Sequence, residues 1–135
     1  MITISKILSA NDTSETGAHQ AGILIPKEPS ILDFFPQLPK AEKNPRAHIM
    51  FEDQSGKNWE LAFIYYNNRQ FGGTRNEYRL TRMTKYIRDA NLISGDEVIF
   101  IQEQGKYSIS YKRKGNITTG SGVLILGSGW KVIQV

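Results

Sequence analysis

The residues whose chemistry is most evident lie in the segment Phe71 to Arg82, which reads F-G-G-T-R-N-E-Y-R-L-T-R. A Gly-Gly hinge precedes Arg75, Asn76, Glu77 and Arg79. Side chains of these types neutralise phosphates and form paired hydrogen bonds with the edges of bases. The segment therefore indicates one arm of a clamp that reads DNA.

Positive charge is concentrated around this segment. Six basic residues and one acidic residue lie between Arg69 and Arg88, whereas the whole chain of 135 residues carries a net charge of only +4. A charge run is by itself more typical of a solvated face. Neighbouring cations within a Debye length, about 10 Å at 0.1 M salt, are also what a polyanion site requires.

Each polar residue of the arm has a functional interpretation and a plainer one. A guanidinium fork matches the O6 and N7 acceptors of guanine, so Arg75 and Arg79 are candidates for base contacts, with phosphate binding or a surface ion pair as the alternative. Glu77 would either accept a hydrogen bond from cytosine N4 or orient the guanidinium groups. Asn76 would read adenine or serve as a turn residue.

Length and composition fit one domain. The chain has no cysteine, which excludes disulfides and a thiolate-rich zinc site and favours a reducing compartment. No segment approaches the roughly 20 apolar residues of a membrane span. We expect a soluble, cytoplasmic protein. The last predicted strand runs to Val135, and we expect the domain to be a module of a longer polypeptide.

The hydrophobic pattern predicts a mainly β fold of the α+β class, with seven or eight short strands and two short helices. Strands that are so short and numerous favour a closed or nearly closed barrel. We expect Ser30 to cap the first helix, with Asp33 at its third position, and Thr81 or Thr84 to cap the second. The segments with a strand-like pattern, from which these strands would come, are 3–8, 21–25, 47–51, 58–66, 78–81, 98–102, 107–111, 123–126 and 130–135.

Two long blocks resemble a known family. Ser9 to Pro26 and Ile64 to Arg82 closely resemble the N-terminal effector domain of EcoRII-type restriction endonucleases, and L-I-S-G-D-E-V-I-F at 92–100 resembles the signature of plant B3 DNA-binding domains. The resemblance implies a B3-like pseudobarrel of about seven strands with two arms in the major groove of double-stranded DNA. It also implies a site similar to CCWGG, a nuclease domain in the parent chain, and a bacterial cytoplasmic location. Binding would need no cofactor, and Mg²⁺ would serve only an attached nuclease.

On this resemblance the N-arm spans Asn11 to Gln20 and the C-arm spans Arg69 to Arg79. His19, Arg75, Glu77 and Arg79 match positions that contact DNA in the family, and we assign base contacts to them and to Asn76. The chain departs from the family pattern at Gly73 and Tyr78, where a relative has lysine. We assign phosphate contacts to Lys27, Arg69, Arg82 and Lys85. The remaining residues assigned to backbone contact or arm structure are Asn11, Asp12, Thr13, Ser14, Thr16, Gln20, Thr74 and Tyr78.

The sequence contains no catalytic motif that we identify, which favours a binding domain that is not itself an enzyme. The alternative from another class is a small metal-dependent nuclease using Asp12, Glu15 and His19, although two or three such ligands make a weak site. A B3 domain of the transcription-factor type, or a general RNA or polyanion binder, are further alternatives.

Overall fold

A computed structural model describes residues 1–13, 22–114, 123–125 and 129–133, with only the backbone described for 123–125. The strands are β1 (Ile2–Ile7), β2 (Ile23–Ile25), β3 (Arg46–Asp53), β4 (Asn58–Tyr66), β5 (Glu77–Thr81), β6 (Glu97–Glu103), β7 (Lys106–Lys112), β8 (Val123–Ile125) and β9 (Trp130–Ile133). The helices are α1 (Pro29–Leu32), α2 (Thr84–Asp89) and a 3-10 helix over Asn68–Phe71. The fold is therefore mainly β with two short α-helices, as predicted.

The nine strands form one curled sheet in the order β2-β5-β4-β3-β7-β6-β1-β9-β8. All neighbouring strands are antiparallel except β3 and β7, which are parallel. The curl brings β9 close to β2 at the opposite edge, because the indole Nε1 of Trp130 donates a hydrogen bond of 3.0 Å to the carbonyl of Leu24. The sheet thus forms a half-barrel in which the edge strand β2 is joined through a side chain to β9, the neighbour of the other edge strand β8.

The core fills the inside of this half-barrel. Helix α1 leads into two buried phenylalanines, of which Phe34 packs edge-on against Phe100 and Phe35 stacks on Phe63. Helix α2 contributes Tyr86, which is 2% exposed and packs edge-on against Trp59. Burying aromatic rings removes a large apolar area from water, so these contacts fix both helices on the sheet.

The B3-type signature forms a turn around the buried side chain of Asp96, and this turn also holds the chain that leads into the N-arm. Leu92, Val98 and Phe100 lie in the core, while the carboxylate of Asp96 accepts hydrogen bonds from the amides of Ile93 and Lys114. The backbone of the same turn forms two hydrogen bonds with Leu8, which follows β1 and lies three residues before the N-arm. The signature therefore holds the end of β1.

Most predicted elements are confirmed. The predicted strands 98–102 and 107–111 lie within β6 and β7, which pair across Gln104 and Gly105. Both predicted helix caps are wrong. Proline, with its fixed φ and missing amide, suits the first helical position, so Pro29 begins α1 and the cap position falls on Glu28 instead of Ser30. Met83 occupies the cap position of α2, and Thr81 Oγ1 instead donates to the carbonyl of Ala62.

Neither α-helix in the described part of the chain has the length or the apolar character needed to cross a bilayer.

We predict that the β3–β4 turn makes stability depend on acid pH. Hydrogen bonds from Ser55 and Trp59, with backbone bonds from Ser55 and Lys57, lower the pKa of Asp53 from 3.8 to about 2. A depressed carboxyl pKa stabilises the fold above the unfolded-state value, and this contribution is lost as pH falls from about 4 towards 2. Urea unfolding between pH 5 and pH 2.5 should show a smaller loss of stability in Asp53→Asn than in the wild type. Equal losses in the two proteins would contradict the prediction.

Candidate nucleic-acid interface

The base of the N-arm is fixed by a buried ion pair. Lys6 Nζ lies 3.2 Å from Asp12 Oδ2, and the two side chains are only 10% and 7% exposed. Asp12 also accepts a hydrogen bond from the amide of Ser9, while its own amide donates to Ser9 Oγ. Thr13 Oγ1 donates to the carbonyls of Ser9 and Ala10. Asp12 and Thr13 therefore fix the base of the arm, because their polar groups are bonded to residues that precede it.

Several predicted N-arm residues lie outside the described residues. These are Ser14, Thr16, His19 and Gln20, together with Glu15 of the nuclease alternative. Their assignments stay predictions. Among the residues that the structure does describe, no group of three His, Cys, Asp or Glu side chains could hold a metal ion.

The chain returns from the N-arm through Gly22, which packs directly on β5. Its φ of 83° is in the left-handed region, and a Cβ at this position would lie 2.2 Å from the carbonyl oxygen of Leu80. Only glycine fits so close to backbone at a positive φ. This contact holds the return of the N-arm against the strand that follows the C-arm.

The C-arm is a hydrogen-bonded loop built around Asn68. Its side-chain Oδ1 accepts from the amide of Arg75 at 2.7 Å, and its carbonyl accepts from the amide of Gly73 at 2.7 Å. The amide of Arg69 donates to the carbonyl of Arg75 at 3.0 Å, which closes the loop. The backbone of the arm is thus ordered from within before any ligand is bound.

The departure from the family pattern at Gly73 has a structural reason. A Cβ on Gly73 would lie 2.8 Å from Cγ of Asn68, closer than real Cβ contacts come. A lysine here would push Asn68 away from the amide of Arg75. In this chain the small residue at 73 and the bracing asparagine at 68 therefore belong together.

Glu77 binds the arginines on both sides of it. Arg75 Nε and Nη2 donate to Glu77 Oε1 at 3.0 and 2.7 Å, and Arg79 Nη2 donates to Oε2 at 3.4 Å. The guanidinium of Arg75 also lies over the ring of Tyr66, 3.8 Å from its centroid. Burial alone would raise the pKa of Glu77, but the hydrogen bonds and charges of Arg75 and Arg79 outweigh it and hold the pKa below its usual value.

A stack of aromatic rings supports β5, the strand that ends the C-arm. Tyr78 lies between Tyr65 and Phe63, with ring centroids 4.3 and 5.6 Å away, and Phe63 in turn stacks on Phe35. Burial, with the charge of Tyr65 as a smaller cause, raises the pKa of Tyr78. This packing explains why residue 78 is aromatic where a relative has lysine.

Asn76 is partly engaged by the fold. The hydroxyl of Tyr65 donates to Asn76 Oδ1 at 2.6 Å, so one of the polar groups of Asn76 already has a partner.

A cleft of about 300 Å³ lies between the bases of the two arms. Its lining includes Asn11 and Asp12 from the N-arm side, Tyr66 from the C-arm side, and Arg46 and Arg82. Sequence reasoning missed Arg46 because it stands outside the basic cluster and begins an ordinary strand. Only the curl of the sheet brings it between the arms.

The residues predicted to bind phosphates are mostly on the surface. Lys27, Arg69, Thr74 and Lys85 are exposed. Arg82 is exposed as well, but its Nη1 lies 3.0 Å from Glu60 Oε1, so a phosphate would compete with this carboxylate. An exposed pair of this kind contributes little to stability and is easily exchanged.

The curled sheet, the two helices and the paired arms define the class of this protein as a B3-like domain. The Arabidopsis FUS3–DNA complex has the same fold, with a TM-score of 0.66 over 84% of this chain and 99% of the other, at 20% identity. A family profile described as restriction endonuclease EcoRII, N-terminal, matches residues 1–100. The chain belongs to this family.

Individual relatives agree with this assignment. The type II restriction enzyme EcoRII of Escherichia coli is 45% identical over 82 residues, which are 57% of this chain and 20% of the enzyme. A B3 domain-containing protein of Arabidopsis thaliana is 30% identical over 77 residues, 54% of this chain and 29% of that protein. Auxin response factor 3 of the same plant is 28% identical over 113 residues, 83% of this chain and 17% of the factor. The chain spans less than a third of the length of each of these relatives.

We predict that breaking the Lys6–Asp12 pair destabilises the domain strongly. Asp12→Asn leaves the Lys6 ammonium nearly buried without its carboxylate, which should cost about 3 kcal/mol of unfolding free energy. Adding Lys6→Met to this variant removes the unpaired charge and should recover most of the loss. Urea unfolding followed by tryptophan fluorescence measures both changes.

The exposed pair of Glu60 and Arg82 provides the control. Its side chains are 47% and 56% exposed, so Glu60→Gln should cost less than about 1 kcal/mol. Similar costs for Asp12→Asn and Glu60→Gln would show that the buried pair does not hold the N-arm.

Proposed function

We propose that the chain is a sequence-specific binder of double-stranded DNA, with two arms in the major groove, and that it serves as the recognition domain of a type II restriction endonuclease. The observation that carries the proposal is the fixed geometry of the Arg75 side chain, which contacts with Glu77 and Tyr66 hold in place. Ordering a long side chain in advance reduces the entropy lost on binding.

The unused donors of Arg75 suit guanine. Glu77 occupies its Nε and one hydrogen of Nη2, which leaves Nη1 and the second Nη2 hydrogen as a free end-on fork. Such a fork matches O6 and N7 of guanine. The side chain is 39% exposed, so it is accessible while still bound to the carboxylate. Arg75 is therefore the main reader of the C-arm in this proposal.

Arg79 has the role of a brace. Its Nη1 donates to the carbonyl of Gly22 at 3.1 Å, its Nη2 donates to Glu77, and its side chain is only 16% exposed. Its Nε is buried 3.3 Å from Glu77 Oε1 without the alignment of a hydrogen bond. With both ends engaged, Arg79 ties the N-arm return to the C-arm. Glu77 then orients arginines, and reading of cytosine by Glu77 is the less favoured of its two roles.

Contacts with the DNA backbone fall to exposed cations, of which Arg46 lines the cleft. Lys27, Arg46, Arg69 and Lys85 make no ion pair with any other residue that the structure describes. Cations that are not already paired can neutralise phosphates and release the counterions condensed on the DNA at little cost. We place these residues on phosphates and His19 on a base that faces the N-arm.

Catalysis has no place in this domain as we propose it. The family relative EcoRII is a restriction enzyme of which this chain matches one fifth, and the nuclease domain with its Mg²⁺ would lie in another part of a bacterial, cytoplasmic parent protein. The relationship to EcoRII makes CCWGG the first candidate site, with its methylated form as the natural comparison.

We expect Arg75→Lys to abolish sequence preference while preserving general DNA binding. Lysine keeps the charge but loses the fork, so affinity for the preferred duplex should fall about ten- to a hundredfold and affinity for scrambled duplex should change little. Competition binding on a panel of methylated and unmethylated CCWGG, variant and scrambled duplexes measures both. Arg88→Lys, an exposed arginine on α2, is the matched control and should behave like the wild type.

A wild-type protein without preference among duplexes, or an Arg75→Lys variant that keeps the preference, would refute this assignment. Cleavage of plasmid by a clean preparation in Mg²⁺ or Mn²⁺ would instead support the nuclease alternative.

We predict that Arg46→Ala weakens binding to all duplexes equally. Loss of one phosphate contact should reduce the slope of log K against log salt by about one, with no change in sequence preference. Titrations between 50 and 300 mM salt measure the slope. Lys106→Ala, at the β6–β7 turn, removes a charge far along the sequence from both arms and should leave the slope unchanged. A selective loss of affinity for the preferred duplex would instead assign Arg46 to a base contact.

A further inference from the structure

Phe71 stands apart from every other aromatic residue in the chain. All phenylalanines, tyrosines and tryptophans lie in the described residues, and Phe71 is the one that is exposed, at 46%. It ends the 3-10 helix of the C-arm and lies outside the hydrophobic core. An apolar ring kept half in water forgoes about half of the stabilisation that full burial provides. The fold therefore gains less from Phe71 than from any of its buried phenylalanines.

The C-arm keeps its shape without the ring. Hydrogen bonds between Asn68 and the amides of Gly73 and Arg75, and between Arg69 and Arg75, close the loop through backbone and asparagine atoms. Gln70 is fixed separately, since its Nε2 donates to the carbonyl of Lys40 at 2.6 Å. Phe71 is therefore presented by an ordered loop and is itself unused by it.

The neighbours of Phe71 show which surface it belongs to. Arg69 is exposed two residues before it, and the Arg69–Arg75 backbone bond places the 3-10 helix beside the proposed guanine reader. A C-arm that enters the major groove with Arg75 takes Phe71 with it. The apolar group that base edges display there is the 5-methyl group of thymine, and 5-methylcytosine carries the same group.

We propose that Phe71 contacts the 5-methyl group of a pyrimidine in the major groove and makes binding depend on that methyl. The inference rests on the proposed function, because it requires the C-arm to lie in the groove. It adds a specificity contact that recognises an apolar group, next to an arginine that recognises hydrogen-bond acceptors.

The test uses the whole chain and the duplex that the wild type selects from a randomised pool. In one series each thymine is replaced in turn by deoxyuridine, which removes the methyl and keeps base pairing, and in the other each cytosine is replaced by 5-methylcytosine. For the wild type, one such change should alter Kd about fourfold, the effect of transferring one methyl-sized group. The two series distinguish thymine from methylcytosine as the source of the methyl.

Phe71→Ala should lose this methyl dependence while keeping the preference for the selected duplex, and Phe71→Leu should keep part of it. Ile93→Ala, another exposed apolar residue at 47%, is the matched control and should retain the full effect. Circular dichroism should show the same fold and melting temperature for all four proteins.

An unchanged methyl effect in Phe71→Ala, or no methyl effect at any position in the wild type, overturns the inference and leaves the proposed function intact. A wild type that selects no duplex at all overturns the proposed function and this inference with it.

Discussion

The geometry of the C-arm depends on the carboxylate of Glu77, which binds two guanidinium groups in a partly buried site. Two cations so close together would repel each other and lose their orientation without it, and their hydrogen bonds in turn keep the carboxylate ionised. Because Arg79 also reaches the carbonyl of Gly22, the same carboxylate links the C-arm to the return of the N-arm. One charged group thus connects the C-arm to Gly22, a residue far from it in sequence.

The curled sheet supplies the rigid frame on which this network can form. Leu8, three residues before the N-arm, is bonded through its amide and its carbonyl to the turn that contains Asp96, and the Trp130–Leu24 bond holds the middle of β2. The C-arm leaves β4 and returns as β5, and the Tyr65–Tyr78–Phe63 stack keeps that hairpin against the core. Reading residues placed on strands and braced loops are held more precisely than residues on free loops.

The fold class was predictable because alternating strands, turn residues and the 92–100 signature agree with one another. The parallel pairing of β3 with β7 was not, since it joins segments that no local pattern connects. The same limit applies to the site. Spacing alone left Glu77 with two roles, because it does not show whether the carboxylate faces its neighbouring arginines or the ligand. Arg46 became visible only through the curl, and the reason for glycine at 73 only through its contact with Asn68.

The two arginines of the C-arm illustrate how similar residues separate into different roles. Both touch Glu77, but Arg75 offers it the Nε side and keeps its end free, while Arg79 has its terminal nitrogens engaged by Glu77 and Gly22. A lysine could not replace either one, because its single ammonium group has no rigid fork with which to orient two partners in one plane. The separation arises from the bonds each side chain already makes. In an arm built in this way, the donors available to a ligand are those that its own folding leaves unused.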